Sequence, residues 1–134
     1  MSDYQITNSI VGAQNIADTS TTQNHPLGTI VNAVDRASTA YGAGEFVYLK
    51  GVASTVLGSF VTYNADDNST ALLAANAIGP TAVSMSINVA SSYGWYQISG
   101  KAVGKCLAGY ADNGLVFATA TAGSIDDAVV AGDR

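Results

Sequence analysis

The chain has 134 residues, enough for one domain with a substantial core and too few for two ordinary ones. A hydrophobic fraction of 48% excludes a wholly disordered chain, and a charged fraction of 11% leaves most of the surface to be solvated by Ser, Thr, Asn and Gly. The net charge of −5, with only five Lys and Arg scattered along the chain, excludes a nucleic-acid partner, because such binding rests on clustered cations.

The first stretch, MSDYQITNSIVGAQ, has neither the basic start nor the apolar core of a secretory signal. No run approaches the roughly 18 apolar residues of a membrane span, so the chain is expected in the cytosol when made. Its single cysteine, Cys106, cannot form an internal disulfide and reads as a small buried hydrophobe. Residues 1–26 end in ADTSTTQNHP and contain few large apolar side chains, so they read as an extended arm that cannot offset the entropy of folding alone. Pro26 stops any helix, and residues 27–134 form the domain proper.

From there the pattern is strand and turn: GEFVYLKGV, GSFVTYN, TALLA, TAVSMSINV, GWYQISGKAV, GLVFATA and DAVVAG, separated by Gly, Asn and Asp. The class is all-β, a small antiparallel barrel or sandwich. Asn113-Gly114 matches a two-residue type I′ hairpin and should join two antiparallel strands. Residues 69–79, STALLAANAIG, fit either a strand or a short helix. Self-comparison points to two related hairpin units: RASTAYGAGEFVYLKGVA lies over NVASSYGWYQISGKAV, and GSFVTYNADDNSTALLA over GLVFATATAGSIDDAVVA. That duplication favours the strand for TALLA, and closure into a barrel would protect the strand edges.

No catalytic constellation emerges. His25, the only histidine, precedes a proline in the polar arm and reads as a solvated loop residue. Cys106 lacks a nearby histidine, although Lys101 and Lys105 are close in sequence. Asp66-Asp67-Asn68 and Asp126-Asp127 put oxygen ligands in turns, but without the alternation of a calcium loop. Nothing in sequence brings Asp35 to Glu45 as an acid and base pair, and Asn68-Ser69-Thr70 is a short glycosylation pattern with many chance matches. The reading is a non-enzyme without cofactor or metal.

The richest stretch is SSYGWYQISGKAVGK. Strand alternation sends Trp95, Gln97 and Ser99 to one face and Tyr93, Tyr96 or Ile98 partly to the other, so one face is expected to carry exposed aromatic area. Trp95 either plugs the core with its N–H satisfied inside, or joins Tyr93, Tyr96 and Lys101 in a protein contact to which Tyr4 and Ile6 of the arm contribute.

GEFVYLKG, GSFVTYNADDNST, ISGKAV and above all LVFATATAGSIDDAVVAGDR resemble the small decoration, or cement, proteins of tailed-bacteriophage heads, over about residues 27–134. The resemblance implies a β-rich structural protein, often a homotrimer, that binds the outside of the mature shell and clamps adjacent major capsid subunits. It implies assembly in the host cytoplasm, a final place on the capsid exterior, and no catalytic residues. A virion-surface carbohydrate-binding or host-adhesion module is the alternative, with Trp95 and Tyr96 stacking on sugars.

Overall fold

A computed structural model describes residues 4–7, 12–37, 40–111 and 114–128. Its strands are β1 (Tyr4–Ile6), β2 (Thr19–Ser20), β3 (Ile30–Asp35), β4 (Ala43–Lys50), β5 (Phe60–Tyr63), β6 (Thr70–Leu72), β7 (Thr81–Ser84), β8 (Tyr93–Ser99), β9 (Phe117–Ala118) and β10 (Ile125–Asp126). Eight strands form one antiparallel sheet in the order β1-β3-β4-β8-β7-β5-β6, with β2 paired to the start of β8, and β9 and β10 make a separate hairpin. The protein is all-β.

The centre of the sheet is the β4–β8 pair, in which Tyr48 lies opposite Trp95 and Val47 opposite Tyr96. Neither strand alternates apolar with polar; EFVYL and GWYQI are nearly continuous, which is how strands covered on both faces read. Two cores result. Phe46, Tyr48 and Trp95 join Ile16, Val31 and Ala33 on one face, while Val47, Leu49 and Tyr96 join Val61 and Ala82 on the other. Each such side chain contributes about 1.5–3 kcal/mol by leaving water, so this ridge carries most of the burial. A register shift beside Glu45 and Phe46 leaves Ile98 as an extra residue on β8, and the Gln97 amide there donates to the carbonyls of Ser99 (2.9 Å) and Lys101 (2.7 Å).

The barrel expected from sequence does not close. β6 comes round far enough for Thr70 Oγ1 to donate to the Lys50 carbonyl of β4 at 2.7 Å, but no ladder joins β6 to β4 among the described residues. Residues 69–79 are strand only over Thr70–Leu72 and continue as turn and coil rather than helix. The Asn113 half of the expected hairpin turn lies outside the described residues, and the chain before it, residues 101–111, holds only an isolated bridge from Cys106 to Ile125. Of the two stretches compared in the expected internal duplication, the one matched to Ala71–Ala74 lies, beyond Ala128, outside the described residues. Gly51 and Gly100 each follow a long strand, and β5–β6 and β9–β10 are both hairpins. Tyr41-Gly42, however, closes a turn with Gly42 at φ 67°, whereas Tyr93-Gly94 lies inside β8.

The described parts of the segment read as an arm, residues 4–7 and 12–26, are built into the fold. β1 pairs with β3, β2 pairs with β8, and Ile16 is buried in the first core. Its polar composition suggests solvation because the sequence hides where the polar groups point. Gln14 Oε1 accepts from Tyr48 Oη (2.8 Å) and Asn24 Nδ2 (2.9 Å), while the Gln14 carbonyl accepts from Trp95 Nε1 (2.9 Å). His25 is likewise not solvated: it is 9% exposed, edge-on to Tyr48 at 5.0 Å and tilted against Trp95 at 5.6 Å.

Candidate functional site

Neither face of β8 presents the exposed aromatic area expected of it. Trp95 and Tyr96 are both fully buried, on opposite faces, and Tyr93 shares the face of Trp95 rather than that of Tyr96. Trp95 fills the first core with its N–H satisfied by the Gln14 carbonyl. Tyr4, Ile6 and Tyr93 are partly buried against that core, and of the six residues expected at a contact only Lys101 is exposed. Tyr96 Oη accepts from Asn88 Nδ2 at 3.0 Å, and burial pushes its phenol up, partly offset by hydrogen bonds with Asn88, Thr70, Ser84 and Thr55. All the aromatic residues, seven Tyr, three Phe and one Trp, fall among the described positions, and none is exposed.

Among the described residues, the exposed large hydrophobic side chains are all aliphatic. Four of them, Val56, Leu57, Ile87 and Val89, sit on the connections β4–β5 (51–59) and β7–β8 (85–92), which contain no charged residue. Backbone hydrogen bonds knit these loops together: Gly51 N to Ser92 O (2.7 Å), Val52 N to Asn88 O (3.2 Å), and Gly58 N to Ser84 O (2.9 Å). Gly51 is required by close approach, since a Cβ there would clash with the Asn88 carbonyl oxygen. Thr55, Ser59, Ser84 and Asn88 are buried beneath the loops; the Thr55 hydroxyl donates to the Val52 carbonyl (2.7 Å), and Ser59 Oγ accepts from Val56 N (3.0 Å). Ser54 and Ser91 hold left-handed backbone at φ 69° and 65°, a conformation that costs a non-glycine residue about 1–2 kcal/mol.

This is a pre-organised apolar end face. Leu57 (56% exposed) and Ile87 (64%) also line a groove of about 750 Å³, together with Met85, Tyr4 and the turn from Asn15 to Thr19. A rigid aliphatic surface loses little entropy on docking, and aliphatic area without aromatic planes suits another protein better than a sugar. Sequence reading missed it because VASTVLGS looks like an ordinary turn segment and MSINV reads as part of the strand run TAVSMSINV, which stops at Ser84. Their lack of charge was the one available signal.

The remaining sequence candidates take structural or surface places. Asp67 Oδ1 accepts from the Ser69 hydroxyl (2.7 Å) and Ser69 N (3.0 Å), and these bonds hold its carboxyl below the usual range. Asp66 is exposed in the same turn, Asn68 packs against Gly28, and Asp126 and Asp127 accept backbone N–H groups near β10. Asp35 is buried at the end of β3, where Oδ1 accepts from Ala37 N (3.0 Å), and Glu45 is exposed on β4. Cys106 is exposed rather than buried, because the segment around it is tied on by backbone bonds and packs into neither core. No group of three or more His, Cys, Asp or Glu that would suit a metal ion occurs among the described residues. Comparison of the chain with family models, with curated proteins and with solved structures finds no match.

Proposed function

We propose that the protein is a non-enzymatic structural component of a tailed-phage head that binds the outside of the mature capsid and stabilises it by clamping adjacent major capsid subunits. The resemblance of its strand segments to decoration proteins motivates the reading. The observation that carries it is the uncharged, rigid end face with Val56, Leu57, Ile87 and Val89 at its surface. As a homotrimer the protein would engage several shell sites at once, so later contacts are intramolecular and weak single contacts become avid. Preference for the expanded shell over the procapsid would supply the stabilisation, because a ligand shifts an equilibrium only by differential affinity.

The carbohydrate-binding alternative relied on Trp95 and Tyr96 as stacking platforms, and their burial removes its motivating feature. The test is co-sedimentation with undecorated expanded heads of the encoding phage, with procapsids as control. Saturable binding to expanded heads, weakened at least tenfold by Leu57→Ser with Ile87→Ser, is the expected result. Absence of binding to either shell overturns the reading, and full binding by the double variant moves the contact off this face.

A further inference from the structure

The groove beside the end face has one feature that purely apolar docking leaves unused, a lone carboxylate. It opens where two strands take turns along β8. β7 pairs with β8 to Ser84, and Met85 N still donates to the Trp95 carbonyl (3.3 Å). Ser84 Oγ then donates to the Ser86 carbonyl (2.6 Å) as the chain turns off the sheet, and β2 takes up the same edge with Thr19 opposite Gly94. Between the departing and the arriving chain lies the groove of about 750 Å³. Ile16 is buried and Met85 half-buried along it, Leu57 and Ile87 are exposed on one side, and Ala17 and Asp18 on the other.

Both walls are fixed before anything binds. Asp18 N donates to the Asn15 carbonyl (3.1 Å), Gln14 Nε2 donates to the Asp18 carbonyl (2.8 Å), and Asp18 Oδ2 accepts from Asn15 Nδ2 (3.3 Å). Opposite, Gly58 N donates to the Ser84 carbonyl (2.9 Å) and holds the loop that bears Leu57. Asp18 is the only carboxylate on the groove, no Lys, Arg or His lines it, and Oδ1 accepts no hydrogen bond from a described residue.

We propose that the groove receives an extended peptide segment of the partner that carries aliphatic side chains and one Lys or Arg, the aliphatic groups against Leu57, Ile87 and Met85 and the cation at Asp18. The inference deepens the proposed function by naming the partner's chemistry, and it rests on the end face being a contact surface.

Charge selects the sign of the occupant. The chain has a net charge of −5 and sets no cation on the groove, so its field repels an acidic peptide or a fatty acid and draws a cationic segment. Shape selects a linear chain. The groove is open to solvent and runs into the end face through Leu57 and Ile87, so a peptide laid in it continues across that face. The one aromatic ring on the groove, Tyr4, is partly buried and edge-on to Phe46 at 5.0 Å, which leaves a sugar or a base no open plane to stack on. A second copy would bring the same negative charge and cover the end face itself. Because Asp18 is exposed, its ion pair sets preference more than strength: loss of the charge should weaken binding about twofold to fivefold, and its reversal at least about tenfold.

Display of random linear peptides, selected on the whole chain and counter-selected on Asp18→Lys, reads that preference directly. Aliphatic sequences with one Lys or Arg should be enriched, bind Asp18→Asn and Asp18→Lys more weakly by the factors above, lose the difference at high salt, and fail to bind Leu57→Ser with Ile87→Ser. Asp18→Asn keeps the oxygen that Asn15 bonds, so only the charge is removed. An acidic consensus, no enrichment, or equal binding by the parent and Asp18→Lys overturns the proposal. Expanded heads separate this inference from the clamp: heads that bind Asp18→Lys as well as the parent overturn the inference and leave the clamp standing, whereas heads that bind neither, with peptide selectivity intact, overturn the clamp and leave the groove's preference standing. A parent oligomer that falls apart in Asp18→Lys means that a second copy fills the groove through its exposed Lys101, Val103 and Lys105, and overturns the proposal.

Discussion

The β4–β8 ridge and the C-terminal residues 101–128 are built from different amino acids and end up in different states. The ridge carries Phe46, Tyr48, Tyr93, Trp95 and Tyr96, whereas residues 101–128 are rich in Ala and Gly and have only Tyr110 and Phe117 as aromatics. In the ridge, large side chains point to both faces and every one from Phe46 to Leu49 is buried. Among its described residues, the C-terminal stretch contributes no side chain to either core and exposes Val103, Leu115 (72%) and Val116. It is held by main-chain bonds such as Lys105 N to Gly58 O (2.8 Å), Phe60 N to Gly123 O (2.9 Å) and Gly123 N to Leu73 O (2.7 Å). Hydrogen bonds that replace water bonds contribute little net free energy, whereas burial contributes much. Residues 101–128 therefore follow the main sheet and do not support it.

Four substitutions or conditions test that contrast. Trp95→Ala removes the largest side chain of the ridge together with the bond to Gln14 and should cost about 3–5 kcal/mol in urea unfolding; a loss near 1 kcal/mol would mean the ridge is not the main source of stability. Gly51→Ala forces the two apolar loops apart and should cost about 1–3 kcal/mol, read as a lower Tm.

Alkaline pH probes the second core more gently. The Tyr96 phenol is pushed above its ordinary value of about 10, so the folded state keeps a proton that the unfolded state gives up. This contribution is complete below about pH 10 and is lost as pH rises through the folded value. Tyr96→Phe should flatten that part of an alkaline stability profile. At the small end, Leu115→Ser should change stability by less than about 0.5 kcal/mol, and a larger loss would show that residues 101–128 do carry weight.

The contrast also marks what the sequence conveyed. Strand runs and their Gly, Asn and Asp breaks made the all-β class legible, because backbone preference is local. The destination of polar side chains was not. Gln14, Asn24 and His25 read as solvating residues, yet they join the Tyr48 hydroxyl in a network closed by Trp95, 81 positions from Gln14. The exposed aromatic face was expected on the premise that a sheet has one dry side. GEFVYL beside GWYQI says otherwise, and only the lack of alternation in those runs could have warned of it. The end face escaped notice because its aliphatic residues are spread over two loops, 51–59 and 85–92, that only the fold brings together.

Contact between Gly51 and the Asn88 carbonyl ties those loops into one mechanical part. An insertion or a bulkier residue in either loop moves both, so the apolar end can be replaced or retuned only as a pair. Any surface varied for a different partner would have to change there in concert, while the strands that carry it stay as they are.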